Sequence, residues 1–333
     1  MFFSKAEIGI DLGSNNILIY EKSKGVILNE PAIIVIERKS NKIVAVGEEA
    51  KEMVGKTPEN FIAIKPINEG KINDFDLVAE MLKRLLKKAL PTMRKPNVVV
   101  NLSTNSTSVE QRAIQNALLA YGVKNIHFIE NPVAAAIGAN LPIEEPIASV
   151  IVDIGGGITE VSIISFGGVV VSEAIKVGGN TFDEKILQLV REKYNVLIGS
   201  QTAEQLKIDI GYAIKDHPEK KEKIIGRDLI TGLPKTVTVS SYDIYNAIKD
   251  SLNKISVAIH KTLEECPPEL SGDIVDHGIV LTGGGALMKG MKKWLADETK
   301  VPIFIAPDPL QAVALGAGKA LTMIDDLKAA KLD

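Results

Sequence analysis

The sequence predicts an α/β protein built as two related halves about one cleft, each half carrying an insertion. An aspartate-led, glycine-containing turn lies between two β-rich runs twice, as Asp11-Leu12-Gly13-Ser14-Asn15-Asn16 and as Asp153-Ile154-Gly155-Gly156-Gly157. Helical and strand spacings alternate along the chain between and after these repeats, the pattern of an α/β architecture. At 333 residues the chain is also roughly twice the commonest domain size, enough for two cores.

Each element follows from local spacing. Ile8 and Ile10 before the first turn, with Ile17, Leu18 and Ile19 after it, read as a hairpin across Ala6 to Tyr20. Ser149 to Ile164 repeats the plan, with Val150-Ile151-Val152 leading in and Val161 to Ile164 leading out. Between the repeats, Val78, Met81, Leu82, Leu85 and Leu86 fall at helical spacing within Asp76 to Lys88. Asn97 to Leu102 reads as a strand and Ser108 to Tyr121 as a second helix. Small apolar residues fill Val133 to Ala139, and Leu310 to Ala320 matches them in the second half, so both segments suit helices lying close against a sheet. The polar turn Glu37 to Asn41, between candidate strands Ala32 to Ile36 and Lys42 to Val46, marks a small insertion. Leu206 to Asp243 marks a larger one, with a charged patch from Lys215 to Lys223 and the turn Thr231-Gly232-Leu233-Pro234 before the alternating strand Thr236 to Val239.

Composition excludes several classes. Hydrophobic residues are 45% and charged residues 24%, as in folded globular proteins rather than disordered chains. Lys+Arg 39 against Asp+Glu 42 leaves a formal charge of −3, so there is no global basic field for nucleic acid. The lone Cys266 cannot form an intrachain disulfide, and His127, His217, His260 and His277 show no metal-ligand spacing. The apolar runs Val150 to Ile154 and Val161 to Val171 fall far short of the roughly 18 residues of a spanning helix. The opening Met1-Phe2-Phe3-Ser4-Lys5 does not read as a secretion signal, so an intracellular location is expected.

Chemistry concentrates in three glycine turns, the third being Leu281-Thr282-Gly283-Gly284-Gly285-Ala286. Glycine lets backbone N–H groups approach an anion without a Cβ in the way, and successive N–H groups form concave phosphate sites. Read singly, each is an ordinary turn. Three in order, two of them aspartate-led, point to a phosphate cleft. A pseudo-twofold arrangement would bring Asp11 and Asp153 together there, where hydrated Mg²⁺, an oxygen-seeking ion, is the expected occupant. The third turn is expected to lead into a helix near Ala286.

The sequence resembles the actin-like ATPase superfamily and, within it, the MreB family of bacterial rod-shape actin homologues. The likeness covers nearly the whole chain. It rests on the phosphate turns and on Asn29-Glu30-Pro31, Ala45-Val46-Gly47, Val54-Gly55-Lys56-Thr57-Pro58, Thr202-Ala203-Glu204, Gly226-Arg227-Asp228 with Thr231-Gly232-Leu233-Pro234, and Pro267-Pro268-Glu269-Leu270. The resemblance implies an actin-like fold of two ribonuclease-H-like domains with an interdomain nucleotide cleft. Subdomain IA would cover 1–31, 76–146 and 309–333, IB 32–75, IIA 147–180 and 243–308, and IIB 181–242.

By the same resemblance, ATP is the nucleotide. Gly13, Ser14, Asn15, Asn16, Gly155, Gly156 and Gly157 would hold its β- and γ-phosphates, Asp11 and Asp153 its Mg²⁺, through water, and Gly283, Gly284, Gly285 and Ala286 its adenosine. Glu204 and Lys207, one helical turn apart, would contact ribose and adenine; without the resemblance they read as a surface i,i+3 salt bridge.

Two positions depart from the family. Glu130-Asn131-Pro132 stands where the family has Glu-Glu-Pro, and the second glutamate there positions the attacking water. Ile158 stands where a threonine helps order that water. An asparagine cannot accept a proton as a carboxylate does, so nucleotide binding with weak hydrolysis is expected. Read blandly, Asn131 caps a helix and Ile158 continues a β pattern.

Near the loop Leu90-Pro91-Thr92-Met93-Arg94-Lys95-Pro96, family members insert apolar residues into lipid, so Leu90 and Met93, aided by Phe2, Phe3 and the nearby basic residues, are the expected contacts with an anionic membrane surface. The alternative is a helix-to-strand connection whose leucine packs inward. The functional expectation is a cytoplasmic filament at the inner face of the cell membrane, governing cell shape. Its expected partners are itself, paralogous filament proteins and, by resemblance, a membrane-spanning shape-complex adaptor. Alternatives are a nucleotide-locked subunit copolymerising with active paralogues, and an ATP-dependent chaperone or sugar kinase on the same superfold.

Overall fold

The structure, a computed structural model, describes residues 7–91 and 96–323. Two five-stranded sheets share one topology. In the first, Gly25–Pro31, Asn16–Glu21 and Glu7–Leu12 form an antiparallel meander, and Asn97–Leu102 and Asn125–Glu130 extend it in parallel. In the second, Gly168–Ile175, Thr159–Ser165 and Ser149–Ile154 form the meander, and Ile279–Thr282 and Ile303–Ile305 follow in parallel. The expected duplication is therefore a duplication of strand order. It also places Asp11 and Asp153 at equivalent positions near the ends of the two central strands.

Between the sheets lie two helices built almost wholly of small residues, Asn131–Gly138 and Ala312–Ala320. Each follows one half in sequence and packs on the sheet of the other: the first lies on Ser149–Ile154 and the second on Glu7–Leu12. They also pack on each other, closer than any side chain would allow. A Cβ on Gly316 would lie 1.7 Å from the Ala134 carbonyl oxygen, and one on Gly138 1.8 Å from that of Ala312. This exchange joins the halves through a buried layer of Ala134, Ala135, Ala136, Ile151, Val313 and Ala317.

The helix Phe75–Ala89 buries Val78, Met81, Leu82, Leu85 and Leu86 on the first sheet's outer side, the face its spacing predicts. Asp74 caps it by accepting from the Leu77 N–H at 2.9 Å. The helix Ser108–Tyr121 starts at a capping box of Thr107 and Glu110. The smaller insertion is the antiparallel sheet Ile43–Val46, Ile34–Glu37 and Phe61–Ile64. The larger holds the strands Val196–Leu197, Lys221–Asp228 and Pro234–Ser240, with the helices Gly179–Tyr194 and Ser200–Ile210. Its hairpin turns at Thr231 and Gly232, where Asp228 accepts from the Ile230 and Thr231 N–H groups at 2.9 Å each.

Two expectations change. Leu90, expected at a membrane, ends the helix Phe75–Ala89 and is 3% exposed in the first core, so it serves packing and is not free to enter lipid. Met93, Phe2 and Phe3 lie outside the described residues. The third glycine turn opens a single 3-10 turn, Gly284–Leu287, and the α-helix begins only at Met291, because Gly290 holds a left-handed φ of 79° between them.

Candidate functional site

The ends of the central strands and the three glycine turns enclose one cavity of about 530 Å³. Asp11, Gly13, Ser14, Asn15 and Asn16 line it from the first half. Asp153, Gly155, Gly156, Gly157, Gly283, Gly284 and Gly285 line it from the second, as do Glu204, Lys207 and Ile158, and Asn131 adds to the wall from the first. Ala286 is the exception among the predicted contacts: it is 1% exposed and packs into the second core behind the wall.

The two aspartate-led glycine turns touch. A Cβ on Gly156 would fall 2.5 Å from Asn15 Nδ2, and one on Gly157 2.7 Å from Ser14 Oγ and 2.9 Å from the Glu69 backbone nitrogen, so the main chain itself leaves no room for a side chain at Gly157. Ser14 Oγ in turn accepts from the Gly70 N–H at 3.1 Å, tying the turn Glu69-Gly70 to the site. Behind the second loop, the Gly179 and Asn180 N–H groups at the start of a helix donate to the Gly155 and Gly156 carbonyls at 2.9 and 2.8 Å. These bonds fix the loop, and because the Gly155 N–H is itself spent on the Ile158 carbonyl at 2.9 Å, the Gly156 and Gly157 N–H groups are the donors able to face an anion.

The carboxyl chemistry is uneven. Burial pushes the Asp11 pKa up to about 6, against a lowering hydrogen bond from Asn101. Burial pushes Asp153 up to about 7, and the negative charges of Glu160 and Asp11 add to it. Two recessed carboxyls that resist ionisation beside each other form an oxygen donor set for a hard cation such as Mg²⁺. Among the described residues there is no cluster of three or more His, Cys, Asp or Glu to hold a metal fully, so any ion here would keep other ligands, as Mg²⁺ does with water and phosphate.

Glu204 and Lys207 share the wall but do not pair. Lys207 Nζ lies 2.8 Å from Asp183 Oδ1 and donates to the Gly179 carbonyl at 3.1 Å, with both charged side chains nearly buried. Burial raises the Asp183 pKa and Lys207 opposes it. The lysine thus braces the start of the Gly179–Tyr194 helix, and Glu204 is the freer of the two toward a ligand. At the cleft mouth Lys65 Nζ donates to Asn15 Oδ1 at 3.0 Å and reaches Asn180 Oδ1 at 3.5 Å, and desolvation lowers its pKa.

Asn131 and Ile158 carry contacts between the halves. Asn131 Oδ1 accepts from Asn101 Nδ2 at 2.7 Å, and Asn131 Nδ2 donates to Glu160 Oε2 at 2.7 Å. Ile158 packs over the turn at Gly70, where a Cβ would come 2.7 Å from its Cδ1. Asn101 and Glu160 escape a reading by motif. The one available signal for Asn101 is an amide inside the apolar run Val98-Val99-Val100-Asn101-Leu102.

This fold and site define an actin-like nucleotide-cleft protein: two like halves, exchanged helices, and paired glycine turns each led by an aspartate. The comparisons make the class specific. The MreB/Mbl protein family model matches residues 5–329, and the chain belongs to that family. It is 44% identical over 328 residues to the cell shape-determining protein Mbl of Bacillus subtilis, covering 98% of each. It is also 44% identical to the cell shape-determining protein MreB of Escherichia coli, over 96% of this chain and 94% of that one. Among solved structures, MreB5 of Spiroplasma citri bound to AMPPNP superposes with a TM-score of 0.91 at 36% identity, covering 98% of this chain and 99% of that chain.

Proposed function

We propose that this chain is an ATP-binding subunit of a cytoskeletal filament that governs cell shape, and that it hydrolyses ATP slowly. The observation that carries the reading is the seating of Gly156 and Gly157 on Asn15 and Ser14 around one cavity lined by Asp11 and Asp153. It is joined by likeness to relatives named for cell-shape determination and to a protein solved with AMPPNP. The phosphate turns would hold the β- and γ-phosphates, with Asp11 and Asp153 orienting Mg²⁺, whose charge would offset that of the phosphate oxygens. Glu204 and the Gly283–Gly285 turn would face the nucleoside.

Slow hydrolysis follows from the two departed positions. Asn131 offers an amide where a carboxylate would accept a proton, and Ile158 offers no hydroxyl. General-base help is worth about 10²- to 10⁴-fold in rate. Single-turnover phosphate release from Asn131→Glu with Ile158→Thr should therefore exceed that of the parent at equal nucleotide occupancy. Equal release sinks the assignment of slow chemistry to these residues.

A second reading, a nucleotide-locked subunit copolymerising with active paralogues, draws on the same pair, since both residues are engaged in contacts between the halves. Filaments of this chain alone in ATP, seen by negative stain and sedimentation, favour the first reading; filaments formed only with a paralogue favour the second. Attachment at the inner face of the membrane, directly or through an adaptor, belongs to the proposal. With Leu90 in the core, direct contact falls to Met93 and the amino-terminal phenylalanines. Met93→Ser should weaken co-sedimentation with anionic vesicles, and unchanged binding moves the contact elsewhere.

A further inference from the structure

We infer that Glu160 is the positioning residue for Asn131, so that the water-facing group of this cleft is an amide–carboxylate pair rather than Asn131 alone. The inference rests on the reading of Asn131 as the residue facing the attacking water. It starts from hydrogen-bond bookkeeping along one chain of polar groups. Asn101 Oδ1 accepts from the Leu12 backbone N–H at 2.8 Å, which fixes which end of that amide is nitrogen. Its Nδ2 then spends both protons, on Asp11 Oδ1 at 2.8 Å and on Asn131 Oδ1 at 2.7 Å.

Asn131 is thereby oriented from one side, and Glu160 orients it from the other. Glu160 is 1% exposed, and its Oε2 takes the Asn131 Nδ2 proton at 2.7 Å. Its Oε1 accepts from Ser103 Oγ at 2.8 Å and from Thr104 N and Oγ1 at 3.2 Å each. An ionised carboxylate accepts only, so the Asn131 amide cannot turn over without setting its oxygen against those of Glu160 and its nitrogen against that of Asn101.

Asn131 lines the cavity, and these bonds leave it one lone pair of Oδ1 and one N–H. A buried carboxylate behind the N–H also polarises the amide and makes its oxygen a better acceptor for a water proton. The carboxylate absent from position 131 thus acts from position 160, one hydrogen bond further from the phosphate. Glu160 itself is not in the cavity wall, which makes it a positioning residue rather than a group that touches the water.

The competing account is that Glu160 merely clamps the two halves, since Ser103, Thr104 and Asn131 belong to the first half and Glu160 to the second. A double-mutant cycle separates the two. Mg-ATP affinity is measured by calorimetry and phosphate release in a single turnover, for the parent, Glu160→Gln, Asn131→Ala and the double variant. Positioning predicts that Glu160→Gln lowers release about 10- to 100-fold, the scale of a misplaced reacting group, with affinity unchanged. It predicts no further loss from Glu160→Gln once Asn131 is alanine. Thr104→Val, which removes a hydrogen bond to Glu160 that bypasses Asn131, should leave release as in the parent.

Additive losses, a fall in release with Thr104→Val as large as with Glu160→Gln, or equal release from parent and Glu160→Gln, including none from either, overturns the inference. These outcomes are distinct from failure of the slow-hydrolysis reading, which would show as a fast parent whose rate the Asn131→Glu, Ile158→Thr variant does not raise.

Discussion

The hairpins bearing Asp11 and Asp153 agree in strand order and pairing, yet they differ at the residue opposite the aspartate. Asp11 faces Leu18 across its hairpin, and Asp153 faces Glu160. Leu18 is 4% exposed and Glu160 1%, so a buried apolar side chain in one half answers a buried carboxylate in the other. The duplicated scaffold therefore supplies two aspartate-led glycine turns but one-sided chemistry. The first half contributes an aspartate held by an amide, the second an aspartate crowded by negative charge. A buried carboxylate survives opposite Asp153 because Ser103, Thr104 and Asn131 supply donors there.

Making the first hairpin like the second should break it. Leu18→Glu buries a charge with no such set of donors, and leaving a buried charge uncompensated costs about 3–5 kcal/mol. The expected outcome in chemical denaturation is a protein that unfolds at much lower urea concentration or does not fold. A midpoint close to the parent's would show that Glu160 owes nothing to its particular donors.

The next effect concerns the helix layer on the two central strands. At equivalent positions stand Gly9 and Ile151. Helix Ala312–Ala320 crosses so close to Gly9 that a Cβ there would lie 2.3 Å from the Gly318 nitrogen, while Ile151 is accommodated under the other helix. Gly9→Ala should therefore cost about 1–3 kcal/mol or more by overpacking, and Ile151→Val about 0.5–1.5 kcal/mol by a small cavity. Equal midpoint shifts for the two would mean that the crossing is looser than its geometry shows.

The aspartates then sharpen the comparison through pH. A carboxyl whose folded pKa lies above its unfolded value, near 3.8, binds more protons folded than unfolded, so stability falls as pH rises. For the metal-free protein that loss should run from about pH 4 through 6 for Asp11 and through 7 for Asp153. Asp153→Asn should remove more of this slope than Asp11→Asn, and should raise the metal-free melting temperature more at pH 8. Mg-ATP affinity should rise over the same window in the parent, because protons compete with the ion, and fall about tenfold or more in Asp11→Ala and Asp153→Ala. A melting temperature flat between pH 4 and 8 would contradict the burial of both groups.

How far the sequence foretells this site depends on whether the signal is local. Turn chemistry beside apolar runs makes the hairpins, and the meeting of both aspartates and the glycine turns in one cleft, legible, because strand and turn sit within one short segment. Glu160 is illegible for the opposite reason. In Thr159-Glu160-Val161 it reads as the polar outward position of an alternating strand, and its burial comes from Ser103, Thr104 and Asn131, which are distant in sequence. The ion pair of Lys207 is illegible for the same reason, since its partner Asp183 belongs to another helix. Leu90 follows the heptad-like stripe of Leu82, Leu85 and Leu86 by one further turn, and that continuity with the core outweighs the loop composition after it.

The smallest effect tests whether polar ties over the cleft matter beside the buried ones. Lys176, just after the second half's meander, pairs with Glu69 of the first half's turn at 2.7 Å, with side chains 63% and 45% exposed. It lies beside the Gly70 turn on which Ile158 packs, so the same joint holds an exposed ion pair and a recessed apolar contact. Exposed pairs are worth about 0.2–1 kcal/mol, because water screens the attraction and two long side chains lose freedom in forming it. Lys176→Ala should lower the denaturation midpoint by an amount close to measurement error, and 0.5 M salt should erase what difference there is. Ile158→Ala should shift the midpoint more and do so equally at low and high salt, since removing apolar contact is not an electrostatic change. A salt-sensitive loss from Lys176→Ala that exceeds the loss from Ile158→Ala would reverse that order, and the joint between the halves would then be held by surface charge rather than by the recessed Ile158.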